Sequence, residues 1–225
     1  MTSHSMDFKN KRIAVIGLGV EGLSSAMYLA SKGAIVTILA KKETGGESLP
    51  QGIAVIRGDT YLDNLEQYEM IVRSPGIKRN LPKLLEAEKK GVLVTSQTKL
   101  FFDLCPSDII GVTGTKGKGT TSSLIYEMLQ KEGIESFLGG NIGKPPFAFL
   151  DTLSSQAKVV LELSSFQLED ITKSPHIAVM LMVTSEHLDI DTMGTQNYHE
   201  SLDDYISAKR NILKFQTASD FAILN

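Results

Sequence analysis

The stretch Ile109–Ile125, IIGVTGTKGKGTTSSLI, decides how the rest of the chain is read. It opens as an apolar run, breaks at glycines and resumes as a helix-forming segment. The break reads Gly114-Thr115-Lys116-Gly117-Lys118-Gly119-Thr120-Thr121. A strand, a glycine loop and a helix in that order cradle phosphate, because bare backbone N–H groups converge on the anion at the positive end of the helix dipole. Lys118 would lie against the β- and γ-phosphates, and a hydroxyl just after it would hold Mg²⁺. The match to the usual nucleotide-loop spacing is imperfect at both ends. Val112 stands where a first glycine is expected, and Gly119 where Ser or Thr follows the lysine. A glycine-rich turn without ligand is the plain alternative. Two lysines inside a glycine loop at a helix start favour an anion, and the segment is read as an ATP site.

The sequence beyond this loop supplies the groups such a site needs. After the helix, expected over Thr120–Lys131, a tight turn Gly139–Gly143 carries the amide of Asn141. Lys158–Leu163 (KVVLEL) reads as an apolar strand whose only acid is Glu162, followed by Ser164-Ser165-Phe166-Gln167-Leu168. Ile177–Val183 is a second buried strand, running into Thr184-Ser185-Glu186-His187-Leu188-Asp189. A polar loop through Gly194 precedes a helix over about Tyr198–Phe215, and Phe221–Leu224 starts a further strand. Acids, hydroxyls and imidazoles thus collect at the carboxyl ends of strands, where an open α/β sheet binds its ligands.

Ahead of the loop lies a second unit. Lys11–Ile16 is a compact strand, Gly17-Leu18-Gly19-Val20-Glu21-Gly22 follows at once, and a helix runs to Gly33. Ala34–Ala40 is the next strand, so the G-x-G-x-x-G sits in its βαβ context. A dinucleotide site would want an acid at the end of that second strand, and the sequence there is Ala40-Lys41-Lys42. A nucleotide-sugar site or a ligand-free Rossmann-like domain fits equally well. Short strands at Ile53–Ile56, Met70–Arg73 and Val92–Thr95 and a helix over Leu81–Lys90 complete the unit, with Ser74-Pro75-Gly76-Ile77 as a turn at the sheet's carboxyl edge. Gln97–Leu104 reads as a linking helix, which places the domain boundary at Cys105-Pro106 and gives domains 1–105 and 106–225.

Composition bounds the reading. The 225 residues are 42% hydrophobic and 22% charged, an ordinary globular balance, and the net charge of −3 gives no reason to expect nucleic acid or a membrane surface. No apolar stretch approaches the roughly 18 residues of a membrane span. The single cysteine, Cys105, forms no internal disulfide or thiolate-rich metal site and reads as a packed thiol. The opening MTSHSM has neither the basic flank nor the apolar core of a signal peptide, and Met6 is a candidate natural start. The cytoplasm is the expected location. His4, His176 and His199 are read as structural or surface residues, and Asp189, Asp191, Asp203 and Asp204 as a solvated face.

GVTGTKGKGTT, GGNIG, ELSSFQLE, the TSEHLD segment and Tyr205-x-x-x-Lys209-x-x-Ile212 occur in the order seen in the Mur ligases. With GLGVEGLS and SPGI in front, the chain most resembles the branch that adds D-glutamate to UDP-N-acetylmuramoyl-L-alanine. The resemblance runs from about Arg12 to Asn225. It implies an α/β protein with a Rossmann-like UDP-sugar-binding domain, then a phosphate-loop central domain that is truncated. It also implies an ATP- and Mg²⁺-dependent ligation through an acyl phosphate, in an enzyme that is monomeric at full length. Residue by residue, Lys118 resembles the phosphate-loop lysine and Glu162 the ligand of the Mg²⁺ that bridges the phosphates. His187 resembles the ligand of a second Mg²⁺. Lys209 resembles the lysine whose carbamate supports that metal. Asn141 and Gln167 resemble substrate-positioning groups. Gly19, Val20, Glu21, Ser74, Pro75 and Gly76 align with the loops that hold the UDP-sugar.

Four departures mark this chain. Gly119 replaces a hydroxyl residue, which leaves Thr120 as the substitute Mg²⁺ ligand; a Lys-Gly-Ser version occurs in the related folylpolyglutamate synthases. Lys116 replaces the usual asparagine. Ala40-Lys41-Lys42 replaces the segment that offers an aspartate to the uracil. Glu21 places an acid close to the expected diphosphate. Against the family's length, the chain is expected to end inside the central domain and to show no ligation turnover by itself. Another Mur ligase, a folylpolyglutamate synthase, and a non-catalytic nucleotide-sensing pair of Rossmann and phosphate-loop domains are the other readings.

Overall fold

The computed structural model describes residues 6–41, 52–184 and 199–225. The chain divides into two compact units, residues 1–100 and 101–225. The division falls inside the expected linking helix, a few residues ahead of Cys105-Pro106.

The first unit is a five-stranded, fully parallel sheet. Its strands are β1 (Arg12–Ile16), β2 (Ile35–Ala40), β3 (Ala54–Arg57), β4 (Met70–Arg73) and β5 (Leu93–Ser96), in the order β3-β2-β1-β4-β5. α1 (Val20–Ser31) packs on β1 and β2, and α2 (Pro82–Lys89) packs on β5. Central β1 is covered on both faces, so four successive residues, Ile13 to Ile16, are fully buried instead of alternating. Ala14 and Ile16 join Leu39, Ile71, Leu84 and Val94 in one apolar cluster. The chain builds outward from β1 through β2 to β3, then returns to add β4 and β5 on the other side. The reversal leaves a crevice at the carboxyl ends of β1 and β4.

α3 (Gln97–Leu104) carries the chain into the second unit. Here β6 (Asp108–Thr113) is the central strand, with α4 (Lys118–Lys131), β7 (Ser136–Gly140), β8 (Lys158–Glu162), α5 (Ser165–Leu168), β9 (Ile177–Met180), α6 (Leu202–Lys214) and β10 (Phe221–Leu224) following. The sheet is parallel throughout, in the order β10-β9-β6-β8-β7. α4 covers β6, β7 and β8, while α6 packs on β6 and β9 and against α5. The reversal falls at β6, whose carboxyl end is therefore flanked by the ends of β8 and β9. Cys105, just before β6, is half-buried; desolvation raises its thiol pKa above the ordinary value, as expected of a packed thiol.

Most expected elements are present with ends moved by one or two residues, and two departures bear on the site. The tight turn expected at Gly139–Gly143 is preceded by a strand, β7, which pairs in register with β8. Ser-Phe-Leu-Gly-Gly is too short and glycine-rich to announce itself by periodicity. β9 ends at Met180 instead of continuing to Val183. The next residues peel off along the glycine loop, with Leu181 N–H donating to the Thr113 carbonyl and Thr115 N–H to the Met182 carbonyl, both at 2.9 Å.

Candidate functional site

The glycine loop sits where the expected strand–loop–helix places it, between β6 and α4. Gly117, at φ 82°, is the left-handed residue that turns the loop into α4. A side chain is strained in that conformation. Lys118 opens the helix, is half-buried, and donates from Nζ to the Thr115 carbonyl at 2.9 Å. Lys116 and Thr120 are exposed, while Thr121 is half-buried.

Glu162 ends β8 beside this loop and is 5% exposed. Its register partners are Val112, one residue before the end of β6, and Gly140 at the end of β7, so two flanking strands fix its height. Gly140 has φ 92°, and a Cβ there would overlap the Glu162 carbonyl. The chain then folds back so that Asn141 N–H donates to that carbonyl at 2.9 Å and Asn141 Nδ2 to Glu162 Oε1 at 3.1 Å. The other carboxylate oxygen faces the first turn of α4, where a Cβ on Gly119 would lie 3.1 Å from Oε2. Gly119 therefore opens the space that Glu162 occupies beside the lysine. Gly119→Ser is expected to force the two apart, at a cost of about 1 kcal/mol from overpacking. A thermal melt should read this as a fall of roughly 2–4 °C; an unchanged melting temperature would show that the carboxylate swings aside freely.

Lys209 is on α6, where a solitary helix lysine would ordinarily face solvent. It is 2% exposed instead, and its Nζ donates to the Gly114 carbonyl at 2.9 Å. Gln167 is buried and forms a capping box at the start of α5: Ser164 N–H donates to its Oε1 at 2.9 Å, and its own N–H donates to Ser164 Oγ at 3.3 Å. His187 lies outside the described residues, as do Asp189 and Asp191. Asp203 and Asp204 are exposed in the first turn of α6, with Asp204 N–H capped by Ser201. His199 is buried, stacked on Phe166.

In the first unit the expected loops meet at the crevice between β1 and β4. Ser74 Oγ donates to the Ile16 carbonyl at 2.5 Å, and Ile77 N–H to the Ser74 carbonyl at 3.0 Å, which closes the Ser-Pro-Gly turn. Gly19 caps α1 with its N–H groups toward this edge, and Val20 and Glu21 form the first helical residues. Arg73 was not anticipated. It is fully buried at the end of β4 and donates from Nη1 to the Ile77 carbonyl at 2.5 Å, tying the turn from beneath. The signal was a lone cation ending an otherwise apolar strand.

Among the described residues no group of three His, Cys, Asp or Glu side chains forms a ready metal cluster, and no helix is long and apolar enough to cross a membrane. For Mg²⁺ the fit rests on one buried carboxylate with an oxygen turned toward the glycine loop. That is the donor set expected when nucleotide phosphates supply the remaining oxygens.

Two parallel-sheet units, the second with a glycine loop flanked by a buried carboxylate and a buried lysine, define an α/β protein of Rossmann-like and phosphate-loop type. Residues 11–96 match the MurD-like N-terminal domain of Mur ligases and residues 112–225 the Mur ligase middle domain. The chain belongs to the Mur ligase family. It is 41% identical over 223 residues to the UDP-N-acetylmuramoylalanine–D-glutamate ligase of Acetivibrio thermocellus, covering 96% of this chain and 46% of the relative. The same-named ligase of Clostridium novyi is 37% identical, with 96% and 47% covered. The chain thus spans about half the length of these curated relatives. The fold is shared with two solved ligases. UDP-N-acetylmuramate:L-alanyl-gamma-D-glutamyl-meso-diaminopimelate ligase from Neisseria meningitides gives a TM-score of 0.61 at 20% identity, covering 96% of this chain and 71% of that one. UDP-N-acetylmuramate-alanine ligase from Thermotoga maritima gives 0.52 at 21% identity, covering 96% and 49%.

Proposed function

We propose that the chain is the nucleotide-sugar-binding and ATP-binding portion of a ligase that joins D-glutamate to UDP-N-acetylmuramoyl-L-alanine in peptidoglycan precursor synthesis. The observation that carries this reading is the convergence of Lys118, Glu162 and Lys209 on one glycine loop at the carboxyl edge of the second sheet. The names of the relatives supply the substrates.

On this reading, the substrate carboxylate takes the γ-phosphate of ATP and becomes an acyl phosphate. The amine of D-glutamate attacks the carbonyl carbon, and phosphate leaves. The protein's task is to neutralise phosphate charge and align the reacting oxygen. Loop N–H groups from Lys116 to Gly119 receive the phosphates, and Lys118 exchanges its bond to Thr115 for a phosphate oxygen. Glu162, with the Thr120 or Thr121 hydroxyl, would hold Mg²⁺, which draws off β- and γ-phosphate charge when bound. Asn141 keeps the Glu162 carboxylate turned toward the loop, and Gln167 fixes the short helix beside it. Lys209 would hold a second metal's surroundings as a carbamate, together with His187. In the first unit, the amides of Gly19 and Val20 and the Ser74-Pro75-Gly76 turn would hold the diphosphate. The cytoplasm, where nucleotide precursors are made, is the compartment this reading requires.

The test is a calorimetric titration with UDP-N-acetylmuramoyl-L-alanine, with UDP and NAD as comparators. The precursor is expected to bind at least about tenfold more tightly than UDP, a difference of about 1.4 kcal/mol, with no heat from NAD. Binding of NAD with no response to either UDP ligand would overturn the proposal.

A further inference from the structure

Two adjacent residues of the glycine loop are held by two residues one turn apart on α6. The first contact is that of Lys209 with the Gly114 carbonyl. The second joins Thr115 to Tyr205, whose hydroxyl lies 3.0 Å from Thr115 Oγ1. The direction of this bond follows from counting. A threonine hydroxyl has one proton and two lone pairs. Thr184 N–H donates to Thr115 Oγ1 at 2.8 Å, which occupies one lone pair. The Thr184 carbonyl lies 3.0 Å from the same oxygen and can only accept, so it takes the proton. Tyr205 must therefore be the donor, and the Thr115 hydroxyl is saturated.

The same tyrosine reaches Lys209. Its ring is 1% exposed, and Lys209 Nζ lies 4.7 Å from the ring centroid. Residues four apart on a helix share a face, so one side of α6 meets the loop at both points. The ring is braced from behind by His199, edge-on at 5.4 Å, which stacks on Phe166 at 4.7 Å and lies 2.9 Å from Ser165 Oγ. In a buried polar string of this kind, a shift at one member strains the hydrogen bonds of the next.

We infer that Tyr205 is a positioning residue that clamps the phosphate loop to α6, so that a nucleotide seated on the loop and the side chain of Lys209 are coupled. The inference rests on the reading of Gly114–Thr121 as an ATP site. Coupling between two sites is reciprocal. Nucleotide binding tightens α6 around Lys209, and loss of the clamp costs nucleotide affinity.

The experiment is hydrogen exchange by mass spectrometry on the 225-residue chain, with and without MgATP. In the wild-type protein, MgATP should slow exchange in the loop and, by about fivefold or more, in α6 from Tyr205 to Ile212. Tyr205→Phe keeps the ring packing and removes only the donor. It should still bind MgATP and protect the loop, while the MgATP-induced slowing in α6 falls below about twofold. Thr115→Val, which removes the acceptor from the other end, should uncouple α6 in the same way. A purely structural role for Tyr205 would speed exchange in α6 equally in both states and leave the MgATP-induced difference intact; that result overturns the inference. So does a wild-type protein that binds MgATP without any change in α6. If the loop itself shows no response to MgATP, the ATP-site reading falls, and the coupling falls with it.

Discussion

Lys118→Met should weaken MgATP binding by roughly 30- to 150-fold, the worth of about 2–3 kcal/mol for hydrogen bonds to a charged group. The phosphates lose the ammonium. The bond from Nζ to the Thr115 carbonyl, given up by the wild type on binding, is already absent from the variant and offsets only part of that loss. The neighbouring cation provides the contrast: Lys116 is exposed, and a charge in water contributes little beyond local attraction. Lys116→Met is therefore expected to cost less than about fivefold, within the range of a surface ion pair. Isothermal titration of the three proteins with MgATP decides the matter. Equal losses for both lysines would reduce the loop to a diffuse basic patch, and affinity within threefold of wild type for Lys118→Met would remove the loop from the nucleotide site.

How far the site could be read in the sequence depended on whether each residue's role is local. The glycine loop is written in consecutive residues, with Gly117 and Lys118 turning and charging the start of α4, so it was legible outright. Glu162 was legible for a different reason: an acid that ends an apolar strand at the sheet's carboxyl edge is seldom there without a partner. Lys209 was not. Its spacing from Tyr205, Ala208 and Ile212 puts it on the buried stripe of α6, but a lysine there names no partner, and only the resemblance singled it out. Its contact, the Gly114 carbonyl, is 95 residues away in sequence. Tyr205 belongs to the same class, since its hydroxyl meets Thr115, 90 residues away in sequence.

Gln167 is legible in its local role. Ser164-x-x-Gln167 is a capping-box pattern, visible in the sequence, and the structure uses the side chain in that way. The substrate-positioning role that the resemblance implies stands beside this local one. The fold was more legible than its edges. The βαβ opening and the phosphate loop gave two parallel sheets, whereas β7 stayed hidden because its pairing with β8, and not its own composition, makes it a strand.

Glu162→Gln should abolish the dependence of ATP affinity on Mg²⁺ without unfolding the protein. The substitution preserves volume beside Gly119, and the amide oxygen of glutamine can still accept from Asn141 Nδ2, so the register of β6, β7 and β8 is kept. What disappears is the charge. A buried carboxylate is unfavourable until a cation arrives, so the empty variant should melt within a few degrees of the wild type or slightly above it. Mg²⁺ requires hard, negatively charged oxygen donors, and an amide oxygen is a poor replacement beside triphosphate. In the wild-type protein, replacing free ATP by MgATP should improve binding by about tenfold or more, and in Glu162→Gln by less than about threefold, a difference of at least about 0.7 kcal/mol. Glu162→Ala separates charge from packing. It removes the carboxylate and the contact to Asn141 together and should lose both the Mg²⁺ effect and stability, through the cavity opened beside Gly119. Titrations with and without Mg²⁺, paired with thermal melts, distinguish these cases. If Glu162→Gln keeps the full Mg²⁺ increment, the carboxylate serves only the turn at Asn141, and the metal must be held from elsewhere.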